Sequence, residues 1–354
     1  MVAAVNQQSP RRHSFSGIDD RRDRAFRRTN RSVRRPTWSP GLRLAFFLIL
    51  LAFAGSLAGF KPVGISRDLD NYRGLFEWAA QADWHELLAA NDPIYHVASR
   101  LVWMLGGGFT TFMLVIALTT CAAKATVLRG LDAERGVLVL LYFSYLFWLH
   151  EYTQIRLALA LGLVMLAIYR PSRVSWILYV VAVLVHGSTV LIVALHMAIH
   201  HRRAAIISIA TSFAALLLTS HAEDFYLALI SRVSVYIDLL DIGEFTKINI
   251  FSLMPLLQGV ILIVSIRHLS KLPLIAQEEF IVSCVGFASF YLLSFLPVLA
   301  FRTHELLIPF FLIFISRMWR HSRLVKLGSI MYMLVGIRIT FFSADSLLFT
   351  GAPR

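Results

Sequence analysis

Charge is the scarce commodity in this chain. Only 16% of its 354 residues are Asp, Glu, Lys or Arg, against 57% hydrophobic. That excludes an ordinary soluble surface, which carries about a quarter charged residues. Acid is scarcer than base: 21 Asp and Glu face 34 Lys and Arg, for a net charge of +13. There are two cysteines, Cys121 and Cys284, each inside an apolar run. Neither a disulfide framework nor a zinc site is implied, and both read as small packing residues.

What the chain does have is a series of long apolar runs between residues 41 and 343. A helix needs about 20 apolar residues to cross the hydrocarbon core, and barrel strands would alternate instead. The expected fold is therefore all-α: a polytopic integral membrane protein of about 10–11 transmembrane helices. The segments are 41–60, 109–128, 136–149, 154–169, a 174–199 region, 204–220, 250–266, 279–299, 303–316 and 324–343. A shorter stretch, 94–108, reads as an interfacial helix in an amphipathic outer loop region. Residues 1–40 form an Arg-rich tail, predicted to be disordered and cytoplasmic. The transmembrane domain is 41–343, and 344–354 is a C-terminal tail. The excess of base suits loops beside a bilayer surface; it does not call for nucleic acid.

The 174–199 region contains "VLVHGSTVL", and Gly187 and Ser188 permit a break beside His186. Loop charge arbitrates. With the N-terminus inside, a break at His186 puts Arg129, Arg135, Arg170, Arg173, "HHRR" (200–203), "RHLSK" (267–271) and "RMWRHSR" (317–323) all inside, as the positive-inside rule prefers. A single crossing inverts the later loops. The broken version brings four polar stretches to the outer face: "SRDLDNYRGLFEW" (66–78), "HEYTQIR" (150–156), "HGST" (186–189) and "FRTHE" (301–305).

Arg156, at the head of an apolar helix, and Arg302, read as lying at a helix–helix turn, can snorkel to lipid headgroups. Together at one face they can instead clamp a polyanion such as a diphosphate, since a guanidinium keeps its charge and binds phosphate bidentately. His186 is either a histidine bonded to a neighbouring helix or an acid–base group suited to neutral pH. Asp68 and Asp70 in the first outer loop are solvated carboxylates or bases for a sugar hydroxyl. Glu151, Gln154 and His304, polar groups at the same mouths, are further candidates for substrate contact; His150, Glu151, His304 and Glu305 are weaker candidates for the acid–base role of His186. Lys124, costly inside an apolar helix, snorkels or pairs with a carboxylate. No metal site is expected.

The order of these stretches resembles the EpsG family of Wzy-like exopolysaccharide repeat-unit polymerases. The resemblance rests on "DLDNYRGLFEW", "DPIYHVASRLVWML", "LYFSYLFWLHEYTQIRLALALGLVMLA", "VAVLVHGSTVLIVAL" and "FRTHELLIPFF", and covers residues 60–316. By match it implies Asp70, Tyr72, Tyr95, Arg156, His186, Ser188 and Arg302 as functional positions. The glutamine that usually follows the family's Ile-Arg stands before it here, as Gln154. The resemblance implies a polymerase of the bacterial inner membrane that joins polyprenyl-pyrophosphate-linked oligosaccharides on the periplasmic face. It implies no cofactor. Its partners would be that lipid-linked oligosaccharide, the bilayer, a chain-length regulator and export machinery. The same charges could serve a polyprenyl-phosphate-sugar-dependent glycosyltransferase, a ligase or a lipid-linked sugar flippase. A flippase would place its charges at mid-membrane and tend to show internal repeats.

Overall fold

The computed structural model describes residues 40–61, 68–200 and 249–342. The N-terminal tail, segment 204–220 and the C-terminal tail lie outside them. The chain divides into two units, Met1–Ile49 and Leu50–Arg354. Of the first, the described part is the opening of helix α1 (Pro40–Gly59); everything below concerns the second.

Among the described residues the secondary structure is helical throughout, with no strand. Three short helices follow α1: α2 (Leu69–Gln81), α3 (Trp84–Ala89) and α4 (Pro93–Met104). Then come α5 (Phe109–Gly130) and α6 (Arg135–Leu141). The chain continues from α6 as two π-helical stretches, Tyr142–Leu146 and Trp148–Thr153, and enters α7 (Ile155–Tyr169). Next are α8 (Ser175–Val185), a single 3₁₀ turn at Gly187–Thr189 and α9 (Val190–His200). The last four α-helices among the described residues are α10 (Leu253–Ser265), α11 (Leu274–Leu292), α12 (Pro297–Met318) and α13 (Arg323–Ile337), with a π-helical turn at Arg338–Phe342 after them.

Among the described residues, five helical runs are long and apolar enough to cross a membrane: 109–130, 253–271, 274–292, 297–318 and 323–342. Shorter apolar helices lie among them. The protein is a multi-pass α-helical membrane protein. The polar stretch 66–78 is a helix rather than a loop from Leu69 onward: α2 turns Leu69, Tyr72, Phe76 and Ala79 inward and leaves Asp70 and Glu77 exposed.

Helix α7 is the centre of the packing. Eleven of its fifteen residues are buried, on every side, so it has no lipid-facing stripe. It packs on α5 and α8, while α11 and α12 form the tightest pair. Close approach of α1 and α5 follows from Gly55 and Gly59, spaced as in small-residue helix contacts. A Cβ on Gly59 would meet the Leu114 backbone at 2.8 Å.

The 174–199 region reverses direction. Helices α8 and α9 are eleven residues each, and Tyr179 of one lies against His196 of the other, ring centroids 5.8 Å apart. His196 in turn meets Glu278 near the start of α11 at 2.6 Å. Two legs of about 16 Å follow from that length. The break beside His186 is the one expected from loop charge.

A correction concerns Arg302. The expected segments 279–299 and 303–316 put it at a helix–helix turn. In the structure that turn is Leu293–Leu296, and α12 starts at Pro297. A proline at the first helical position has no amide to leave unbonded and its φ suits the helix. Arg302 therefore sits in the second turn of α12.

Candidate functional site

Four sequence-distant segments meet at one end of the helical unit. Their hub is Asp92, the residue before Pro93 of α4. Its Oδ2 accepts from Arg156 Nη1 at 2.9 Å and lies 3.3 Å from His186 Nδ1. Its Oδ1 accepts from the backbone amide of Gly187 at 3.2 Å. One carboxylate thus ties the start of α7 to the break between α8 and α9. Asp92 holds φ +61°, a left-handed conformation and the sole positive φ of a non-glycine among the described residues. Such backbone is uncommon and persists where surrounding contacts over-determine it. Burial alone would raise the Asp92 carboxyl. The His186 hydrogen bond and charge, the Arg156 charge and the Gly187 amide outweigh it, so its affinity for a proton falls below the ordinary carboxylate range.

Arg156 is held between two tyrosines. Its guanidinium carbon lies 5.6 Å from the ring centres of both Tyr72 (α2) and Tyr95 (α4), which are 6.1 Å from each other. Facing π surfaces attract the cation and exclude water from it. The Tyr72 hydroxyl is pushed up to about 12, first by burial, then by the nearby Asp68 carboxylate, with Arg156 and Arg302 pulling the other way. Arg302 is thereby placed within electrostatic reach of Tyr72. Three buried polar atoms here have no hydrogen-bond partner: Arg156 Nε, Tyr95 Oη and Gln154 Oε1. Buried polar groups are nearly always satisfied, so these three atoms have hydrogen-bonding capacity left for a further partner.

The expected residues separate into those brought to this end and those turned elsewhere. Tyr72, Tyr95, Arg156 and His186 form the cluster itself. Asp68 flanks it, half-buried and close enough to act on Tyr72 and on Lys61. Lys61, just past α1, donates to the Tyr152 carbonyl at 2.5 Å; burial lowers its ammonium to about 7 against the pull of Asp68. Gln154 sits two residues before Arg156, and its Nε2 donates to Glu305 Oε2 of α12 at 3.1 Å. Ser188 is exposed in the turn beside His186.

Three of the expected residues are turned elsewhere. Asp70 is exposed, two positions from Tyr72 and so on a different face of α2. Glu151 is buried in an ion pair with Lys124 at 2.5 Å and accepts from the Tyr142 hydroxyl at 2.6 and 2.7 Å. The π-helical turns before Thr153 shift its side chain inward; an α-helical reading of "HEYTQIR" misses that. The cost of Lys124 in an apolar helix is offset by this pair. His304 is buried, with Nε2 2.6 Å from Gln258 Oε1 of α10 and its ring against Phe290. It joins two helices. Arg73 and Arg100 also serve packing: Arg73 lies over Phe109, and Arg100 donates to the Ala80 carbonyl and lies over Trp103.

Asp92 is the site residue that sequence reasoning missed. It lay in view within "DPIYHVAS", but acidic residues before proline commonly just open helices. Only the folded chain puts it between Arg156, 64 positions away, and His186, 94 away. Among the described residues no group of three His, Cys, Asp or Glu is placed to hold a metal ion.

This arrangement of an early acidic helix, an aspartate–proline helix start, an arginine entering a central helix and a histidine at a helix break lies within residues 69–186. A model of the EpsG family matches residues 44–350, nearly the full length. The chain belongs to the EpsG family. Comparison with curated proteins and with solved structures gives no match. Membership in the EpsG family joins the helical architecture to an exopolysaccharide-polymerase-like role at family level.

Proposed function

We propose that this EpsG-family protein is a glycosyltransferase that polymerises oligosaccharide units carried on a polyprenyl pyrophosphate. The observation that carries the reading is the shared carboxylate of Asp92, which aligns a tyrosine-clasped arginine with a histidine at one end of the helices. In the reaction, a hydroxyl of the acceptor sugar attacks the anomeric carbon of the donor. The carbon–oxygen bond to the diphosphate breaks, and the electron pair leaves with the phosphate oxygen. Arg156 and Arg302 stabilise that developing charge, which in a water-poor site is the largest aid the protein can give. His186 takes the hydroxyl proton through its outer nitrogen, while Asp92 holds Nδ1 and sets the ring's orientation. Asp68, close to Tyr72, contributes a second carboxylate to the sugar side. The cluster lies away from the end rich in Arg and Lys, which by the positive-inside rule supports reading it as the periplasmic end of an inner-membrane protein.

The test uses a strain lacking this protein, complemented with Arg156→Ala or Arg302→Ala. Lipid-linked saccharides are run on a gel, with membrane levels of the protein checked by blot. The expected result is loss of the polymer ladder and accumulation of single units. Normal ladders from both variants would remove the clamp. Loss of the single units from the outer face would favour a flippase instead.

A further inference from the structure

An enzyme that joins two lipid-linked saccharides needs a place for each. The Arg156 cluster offers the charge for a diphosphate and so for the donor. A second hollow of about 360 Å³ opens at the same end, between α10, α12, α13 and the first π-helical turn. That volume lies in the range of small-ligand sites, which run from about 300 to 1,000 Å³. Its wall is mostly apolar, and the polar groups of Glu305, Ser252 and Arg338 enter it beside the rings of Phe301 and Tyr145.

The two places share a partition. Glu305 lines the hollow and accepts from Gln154 Nε2 at 3.1 Å. Gln154 caps α7 two residues before Arg156, and its buried Oε1 has no partner. Arg302, one turn before Glu305 on α12, lies within electrostatic reach of Tyr72 on one side and Glu305 on the other. A carboxylate offers about four lone-pair sites, and Gln154 occupies one of them. The rest suit the hydroxyls of an uncharged sugar, whose C–H faces the aromatic rings can cover. A diphosphate would meet a like charge in Glu305. A polyprenyl tail would desolvate Arg338 and the remaining lone pairs of Glu305 without offering either a partner.

We infer that this hollow binds the non-reducing end of the acceptor saccharide, with Glu305 holding its hydroxyls and Gln154 tying it to the donor clamp. The inference rests on the polymerase reading, and it separates a donor site from an acceptor site within one mouth.

The probe is the oligosaccharide released by mild acid from the lipid-linked pool of a strain lacking this protein. It keeps the non-reducing end and has lost the diphosphate, so it can accept but not donate. In the full-length protein in nanodiscs, a maleimide labels Ser252→Cys. The released saccharide should slow that labelling, and Glu305→Gln should abolish the protection. In elongation assays with the lipid-linked pool as donor, Glu305→Gln should raise the half-saturating acceptor concentration about tenfold and leave that of the donor unchanged, the loss expected for one charge-assisted hydrogen bond. Ser252→Trp, which fills the hollow without touching Glu305, should do the same. Elongation without protection, or equal effects on donor and acceptor, overturns the acceptor site. Protection with no elongation by the wild-type protein would overturn the polymerase reading and leave the hollow as a saccharide site.

Discussion

At the scale of single residues, the site depends on a carboxylate whose role is positional. Asp92 reaches both Arg156 and His186, and the Gly187 amide completes its coordination. Asp92→Asn keeps the shape and removes the charge, so Arg156 loses its counter-ion and His186 the carboxylate that orients it. Elongation should fall about tenfold or more, the scale at which losing one partner of a partly buried charge pair is felt. Protein level alone would not separate positioning from folding, so the split between kcat and KM is the deciding readout. Loss of the carboxylate that orients His186 should lower kcat while the protein stays at its wild-type level in the membrane. An unchanged kcat would mean that Asp92 does not act through His186. The proton affinity of Asp92 is held below the ordinary carboxylate value of 3.8, so its contacts are complete at neutral pH and fail only as pH falls through that depressed value. Lowering pH from about 7 to 5 should leave the Arg156–Asp92 pair intact, and activity lost in that window reports another group. Arg156 and His186 were legible as residue types that apolar helices do not carry without cause. Asp92 was not, because its meaning is its position between them. Glu151 and His304 had the same apparent promise, yet their contacts are with Lys124 and Gln258.

At the scale of elements, the turn between α8 and α9 is what delivers His186. The chain is extended at His186 (φ −158°, ψ 108°), then makes one 3₁₀ turn and reverses. Gly187 contributes its amide rather than its freedom: a Cβ there would meet nothing within 4 Å, and its φ is not left-handed. Gly187→Ala should therefore leave elongation near the wild-type level. Gly187→Pro should impair it, because proline suits the first position of a helical turn but removes the donor to Asp92. The extended backbone of His186 already accommodates a following proline. Equal activity of the two variants would sink the role assigned to this amide. The reversal itself was legible in loop charge, since it alone keeps the basic loops together. The boundaries of α11 and α12 and the π-helical turns at 142–153 were not. Apolar periodicity does not register a short break among Leu, Ser and Phe, and a π turn changes which face a residue presents without changing composition.

At the scale of the whole molecule, charge sorts to opposite ends of the second unit. Arg317 pairs with Glu279 at 2.9 Å and donates to the Asp132 carbonyl, Arg320 pairs with Glu134, and a Cβ on Gly130 would meet Arg170 at 2.8 Å. These contacts gather the α5–α6, α7–α8 and α12–α13 connections at one end. Asp92, Arg156 and the α8–α9 turn lie at the other, reached along α7 from Tyr169 back to Ile155. The fold class was legible from apolar run lengths alone, because a bilayer imposes the same length on every crossing. The proposed sidedness rests on the distribution of base and is the step on which the proposed reaction depends. Cysteines placed singly at Asn91 and Ser188 should react with a membrane-impermeant maleimide added to intact cells whose outer membrane has been opened. Cysteines at Ser172 and His321 should react only after the inner membrane is permeabilised. Labelling of Ser172→Cys in intact cells would put the basic end outside. Arg156 would then face the cytoplasm, where a periplasmic lipid-linked donor cannot reach it.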